Sequence, residues 1–265
     1  GLIYALKKIL IILKIKFIMD INAKVRNLLK SKKYYFSLKR QISKNYWSNK
    51  KDPDGFFRDR LSNFKKEKES FLKNNKSLIK IINSLRYNNV CDVGCGPGYL
   101  LSTINCKNKC GIENDKNAIK LASNFGKIYD IDLNKKFNIK KKFDLVVCYH
   151  VIEHMKNPLI LINSIKKILK KNGTLIIGTP DFDGAMARLF KNNYRLLHDK
   201  THISLFSLDS ITRLLRDNKF QINLIDFPYF ETEYFSKKNI LKIFSKNGVS
   251  PPFYGSFITI VCQKK

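Results

Sequence analysis

The chain has 265 residues, 44% of them apolar and 27% charged, with 51 Lys and Arg against 21 Asp and Glu for a formal net charge of +30. That apolar share excludes a disordered chain and can bury one full core plus extra elements, so a single domain with a helical N-terminal extension is the economical count. The six cysteines, at 91, 95, 106, 110, 148 and 262, are too scattered for a disulfide scaffold and read as buried reduced thiols.

The first predicted segment, 1–19, is a nearly unbroken apolar run interrupted by Lys7, Lys8, Lys14 and Lys16. Four lysines make it a poor membrane span, and the partner it suggests is a membrane surface touched peripherally through residues 2–19. Met19 offers a second start, and no catalytic role is assigned before it. A second region, 20–85, reads as a helical extension or cap. Its aromatics Tyr34, Tyr35, Phe36, Tyr46, Trp47, Phe56, Phe57 and Phe64 are expected to face the core and cover a cleft. Asn49 to Gly55 reads as a turn between two of these helices.

From 86 to 265 the pattern alternates. Strands are expected near 89–94, 109–113, 127–131, 143–149 and 174–179, with helical stretches between them that include Pro158 to Lys170. A further helix is expected over 207–218, then strands over 221–226 and 256–262. Such alternation predicts an α/β fold with a mostly parallel sheet and helices on both faces, whose ligands bind beyond the carboxyl ends of the strands. No internal repeat is visible, and the absence of a secretory pattern makes the cytoplasm, or the cytoplasmic side of the inner membrane, the expected compartment.

The most informative stretch is Val90 to Leu100, where an apolar strand ends in Gly94, Gly96 and Gly98 with Asp92 just ahead. Glycines there allow a sharp turn and a close approach of ligand to backbone. Gly111-Ile112-Glu113 then ends a second strand in a carboxylate, where an acid can accept hydrogen bonds from ribose hydroxyls. Tyr99 stands where a dinucleotide loop would place its third glycine, and no Gly-Lys-Ser/Thr follows to hold phosphates. The loop is therefore expected to bind an adenosine ligand without a pyrophosphate, and S-adenosyl-L-methionine fits.

At these residues the sequence resembles the class I S-adenosylmethionine-dependent methyltransferases, and among them the small bacterial ubiquinone-biosynthesis-type O-methylases, over roughly 75–226. Asp92-x-Gly94-x-Gly96-x-Gly98 resembles the family's first motif and Gly111-Ile112-Glu113 its second. Tyr129 to Leu133 resembles the acidic turn at the adenine. Phe143 to His154 resembles the fourth strand and its exit, and Leu169 to Pro180 the helix-turn-strand that follows. Asn172 stands where the family usually has proline or glycine, and Asn tolerates the left-handed turn needed there. The resemblance implies a Rossmann-like seven-stranded sheet whose last two strands form an antiparallel edge. It also implies a cofactor site of Asp92, Gly94, Cys95, Gly96, Gly98, Glu113, Asn114, Asp132, Leu133 and His150.

An oxygen acceptor must lose a proton, and histidine has the right intrinsic pKa to take it. His150, His154 and His202 are the catalytic candidates. His150 leaves the fourth strand at the cofactor rim, His154 follows one turn on, and His202 lies in a His-x-x-x-Phe segment before a helix. The structural alternative for each is a histidine that only holds a loop. Asp144 begins a strand at the far end and is read as structural. No metal site is expected, since Cys106-x3-Cys110 lacks the partners that zinc requires.

The expected partner is a small-molecule acceptor, a cell-envelope saccharide or a quinone-like phenol, shaped by 181–199 and 227–254. Two other classes stay open, an RNA methyltransferase using the basic surface and a catalytically inactive cofactor-binding partner protein. The 42 Lys against 9 Arg fit codon drift in an AT-rich genome, since nucleic-acid binders lean on arginine. No RNA-binding module is visible, and Tyr149-His150-Val151-Ile152 stands where a base-methylation motif would be.

Overall fold

The computed structural model describes residues 21, 23–40, 50–51, 57–58, 63–245 and 248–265. Its centre is a seven-stranded sheet: β1 Asn89–Val93, β2 Asn108–Glu113, β3 Lys127–Asp130, β4 Phe143–Tyr149, β5 Leu169–Pro180, β6 Phe220–Asp226 and β7 Phe257–Lys264. The order is β6-β7-β5-β4-β1-β2-β3. β1 to β5 pair in parallel, and β7 lies antiparallel between β5 and β6. The sheet is the one expected, down to its antiparallel edge.

The central strands are apolar without alternation because both faces are covered: Val90, Cys91, Val93, Leu145, Val146, Val147 and Cys148 are all buried. β5 starts at Leu169 rather than near 174, and the expected helix correspondingly ends at Ile168. Leu169 pairs with Phe143 before the register shifts, and Asn172 turns through φ 59 within the shift. The order in which strands are added across the sheet reverses between the parallel neighbours β1 and β4, and that crevice is where ligands enter sheets of this kind.

The helices are α1 Phe64–Asn74, α2 Lys76–Ser84, α3 Lys116–Ala122, α4 Pro158–Ile168, α5 Ala185–Phe190, α6 Arg195–His198, α7 Leu208–Asp217 and α8 Lys237–Ser245. Local chemistry starts several of them. Asp115 accepts the N–H groups of Asn117 and Ala118 at the head of α3, Pro158 opens α4, and Ser207 and Ser210 form a reciprocal cap on α7. The β1–β2 connection is a run of turns, not a helix. It therefore aims no helix N-terminus at a ligand, as a pyrophosphate site would.

The region before β1 differs from the expected row of helices. Phe36–Ser37 pairs antiparallel with Ser204–Leu205, and Lys50–Lys51 pairs with Phe57–Arg58. The turn read between two helices is thus flanked by strands; its Asp52 to Gly55, together with residues 1–19, Tyr46, Trp47 and Phe56, lies outside the described residues. Ile21, Val25 and Leu28 join Phe182, Met186, Phe190, Tyr194 and Leu205 in a second apolar cluster beside the main core. Arg213 of α7 donates to the carbonyls of Leu28, Ser31 and Lys33, holding this segment on the domain. No helix among the described residues is long and apolar enough to cross a membrane.

Candidate active site

The carboxyl ends of β1, β2 and β4 open into a cleft of about 1480 Å³, roofed on one side by α1 and on the other by the segments before α8 and β7. That volume exceeds the several hundred cubic ångströms of a typical single-ligand pocket, leaving room for a cofactor and an acceptor together. Phe64 and Phe71 of α1 pack on Tyr99 with ring centroids 5.1 and 5.9 Å apart, so α1 closes over the glycine loop.

The loop is built for close approach. Gly94 has φ +75, and a Cβ there would meet Val151 Cγ2 at 2.5 Å. The N–H groups of Gly94 and Cys95 both donate to Ile112 O, at 2.8 and 3.1 Å, which folds the loop back onto β2. Glu113, at the end of β2, holds it from below. One carboxylate oxygen accepts Gly96 N–H at 3.0 Å, and the other accepts the N–H groups of Asn114 and Asp115 at 2.8 and 3.0 Å. Gly96 and Gly98 do not line the cleft themselves. Gly98 has φ +89 and faces Ala122 of α3, whose Cα a Cβ would meet at 2.9 Å.

Asp92, Gly94, Cys95, Glu113, Asn114, Asp132, Leu133 and His150 all line the cleft. Asp132 accepts Asn134 N–H at 2.9 Å and closes the turn after β3. Asp92 is buried beside Glu113, and burial first, then the Glu113 charge, push its carboxyl from 3.8 up to about 7. At the opposite end of the sheet Asp144 accepts the N–H groups of Asn88 and Asn89 and the Lys170 ammonium, as a structural residue should.

The exit of β4 carries the histidine chemistry. His150 adopts φ 55, in the left-handed region that residues other than glycine seldom occupy, and its N–H donates to Gly178 O at 3.0 Å. Its Nδ1 lies 3.3 Å from Glu153 Oε1, and its ring is wedged edge-on between Tyr149 and Phe257. Glu153 is fully buried and also accepts the Thr179 hydroxyl at 3.2 Å. Burial pushes its pKa up, but the His150 hydrogen bond and the neighbouring histidines outweigh it and hold the carboxyl below its usual range.

His154 and His202 sit behind this pair with ring centroids 5.1 Å apart. His154 Nδ1 donates to Thr201 O at 3.0 Å, and His202 Nδ1 to Leu196 O at 2.8 Å. Burial, and then the nearby His154, lower the His202 pKa from 6.5 to about 4, so its ring is neutral near pH 7. Arg40 fastens the outside of this loop by donating to the carbonyls of Leu197, Asp199 and His202. Nothing in the sequence around Arg40 or Thr179 marks them as supports of the site, because only folding brings them to it.

The sequence model of the methyltransferase domain family matches residues 47–224. The ubiquinone biosynthesis O-methyltransferase of Pelagibacter ubique is 31% identical over 155 residues, covering 52% of this chain and 61% of that protein. The Haemophilus ducreyi protein of the same name is 29% identical over 147 residues, covering 45% and 62%. The chain thus spans less than two thirds of the length of these relatives. Among solved structures, a methyltransferase of Thermotoga maritima described as a possible histamine N-methyltransferase is similar with TM-score 0.55 and 18% identity, covering 78% of this chain and 98% of that one. The N-methyltransferase NodS of Bradyrhizobium japonicum, in complex with S-adenosylhomocysteine, gives TM-score 0.51 at 15% identity over 77% and 90%. These structural likenesses speak to the fold, while the family match covers well over half of the sequence. With the motifs in order along the expected strands, the chain belongs to the methyltransferase domain family of class I S-adenosylmethionine-dependent methyltransferases.

Proposed function

We propose that the chain methylates a hydroxyl oxygen of a small molecule, a quinone-like phenol or a cell-envelope saccharide, with His150 as the base. The observation that carries the reading is the His150–Glu153 pair, 3.3 Å apart at the rim of the cleft and beside the glycine loop. With Nδ1–H donated to a buried carboxylate, His150 presents Nε2 as the acceptor nitrogen toward the cleft. The strained backbone at His150 supports a functional placement, since such strain persists only where surrounding structure enforces it.

The donor set fits S-adenosylmethionine. Asp92 and Glu113 are neighbouring buried carboxylates, and a ligand bearing a sulfonium and an ammonium answers the charge they create. Gly94 and Cys95 would give the close backbone approach, Glu113 the ribose contacts, and Asp132 and Leu133 the adenine side. When bound, the cofactor supplies a methyl carbon whose bond to sulfur breaks as its bond to the acceptor oxygen forms, leaving the sulfur as a neutral thioether. The acceptor proton passes to His150 Nε2, and ionised Glu153 stabilises the resulting imidazolium through Nδ1–H. α1 and the Phe257 ring limit water at the rim, and the remaining contribution is alignment of the acceptor.

Oxygen is favoured over nitrogen as the acceptor by the names of the Pelagibacter and Haemophilus relatives. The test is methyl transfer from labelled S-adenosylmethionine to panels of phenols and saccharides, repeated with His150→Ala. The substitution should lower kcat by about 10²–10⁴ while cofactor affinity holds. Wild-type kcat in His150→Ala would remove the base from the reaction. Turnover confined to RNA, and collapsing between low and moderate salt, would select the polyanion reading instead.

A further inference from the structure

We propose that Tyr149 is a positioning residue for the methyl transfer: lying across Gly178 and tied to Thr259, its ring fixes the orientation of His150. The proposal rests on the reading of His150 as the base, and its first test does not depend on that reading.

The arrangement starts from one row across the sheet. Tyr149 of β4 pairs in register with Gly178 of β5, and Gly178 pairs with Thr259 of β7, so the three positions share a face. Two residues back on that face Val147, Ile176 and Val261 form an ordinary apolar row. In the row above it the middle strand has no side chain, and the Tyr149 ring takes the space. A Cβ on Gly178 would meet Tyr149 Cε2 at 2.3 Å and Cδ2 at 2.4 Å. Gly178 is not one of the left-handed glycines, so the ring and not the chain conformation excludes a side chain there. Beyond Gly178 the phenol oxygen reaches the Thr259 hydroxyl at 3.1 Å, and Thr259 is buried, so water does not compete for the contact.

The consequence falls on His150. Its ring meets the Tyr149 ring edge-on with centroids 4.6 Å apart, and Phe257 closes the other side at 5.1 Å. Phe257 stands two residues before Thr259 on β7, hence on the same face, so one strand tethers the first wall and supplies the second. Gly178 acts twice, since its carbonyl also accepts the His150 N–H. Glu153 alone would hold the imidazole loosely, because its contact with Nδ1 is a long 3.3 Å and the last torsion of histidine is broad. Two aromatic walls remove that freedom and keep Nδ1 on Glu153 with Nε2 toward the cleft. Tyr149 does not take the acceptor proton itself. Burial pushes its phenol up to about 12, so it stays protonated at neutral pH.

Nitrogen NMR of isotope-labelled histidine tests the placement with neither acceptor nor cofactor present. In the wild type the neutral ring of His150, assigned by its loss in His150→Gln, should show a protonated Nδ1 and a bare Nε2. Tyr149→Leu removes the wall and Gly178→Ala displaces it, and both should give the averaged shifts of mixed tautomers. Tyr149→Phe keeps the ring on its seat and should hold the wild-type pattern. Should Gly178→Ala fail to fold, Tyr149→Leu carries the test. Once an acceptor turns over, Tyr149→Leu and Gly178→Ala should lower kcat by about 10- to 10²-fold, with KM and S-adenosylmethionine affinity unchanged. Wild-type shifts for His150 in Tyr149→Leu overturn the positioning whatever His150 does. Altered shifts with unchanged kcat overturn the base reading of His150, and with it the place of Tyr149 in the reaction.

Discussion

Replacing Asp92 by Asn probes the electrostatics of the cofactor end most directly. The carboxyl is 5% exposed, and its pKa rises from 3.8 to about 7 through burial and then through Glu113. Well below pH 3.8 the group is protonated in both folded and unfolded chains and has no effect on stability. Between pH 4 and 7 the unfolded chain releases the proton and the folded one keeps it, so stability falls as pH rises and levels off above 7. At about 1.4 kcal/mol per unit, the loss is of order 4 kcal/mol at pH 8. The neutral amide avoids it, so Asp92→Asn without ligand should melt roughly 8–16 °C above the wild type at pH 8 and within about 2 °C of it at pH 4. Saturating S-adenosylmethionine should reverse the order, because its positive charges favour the ionised carboxylate and the amide gives them nothing. The assay is thermal melting of both proteins from pH 4 to 8.5, with and without cofactor, read as the difference between them so that other titrating groups cancel. A difference that does not change with pH would refute the buried, unpaired reading of Asp92.

The glycine loop and the thiols give two further expectations. Gly94→Ala must fit a Cβ 2.5 Å from Val151 Cγ2 at φ +75, so it should destabilise the fold by about 1–3 kcal/mol and abolish cofactor binding. Calorimetric titration checks this, and Val151→Ala in the same chain should recover part of the stability but not the strain of the backbone. Of the six cysteines, Cys106 is the one that is not buried, so a thiol reagent should modify a single site quickly in the native protein and six after denaturation. Rapid native labelling of several sites would mean that the sheet opens far more readily than its burial implies.

Much of this architecture was legible because it is written locally. Continuous apolar runs mark buried parallel strands, and Gly94, Glu113 and His150 stand at strand exits, where the topology itself delivers them to one rim. The left-handed turn at Asn172 was expected from the resemblance to the family's motif, asparagine being one of the residues that tolerate it, and it has φ 59. What was not legible depends on contacts distant in sequence. The strand Phe36–Ser37 exists only because Ser204–Leu205 pairs with it, and isolated two-residue strands carry no periodicity to read. Gly98 matched a motif yet serves the packing of α3, since its pattern records the need for a missing Cβ and not which neighbour requires it. The meeting of Glu153 and His154 with His202 likewise has no local signature. It follows from the loop being held by Ile203 N–H on Glu153 O at 2.9 Å, Ser204 Oγ on Met155 O at 2.7 Å, and Arg40 from outside.

That arrangement gathers acids at the strand exits in a way the composition hides. In a chain of net charge +30, the strand exits gather Asp92, Glu113, Asp132 and Glu153, three of them buried. Lys66, Lys116, Lys156, Lys238, Lys242 and Arg195 line the same cleft, so the acids are set among cations. A cationic cofactor is favoured where those buried carboxylates crowd together. His150 stands beside them, with a left-handed backbone and a ring held by Tyr149, Phe257 and Glu153. For the base proposed above, fixing that ring matters more than its basicity alone. A methyl transfer gains most of its rate from alignment, and a base held on three sides loses little freedom when the acceptor arrives.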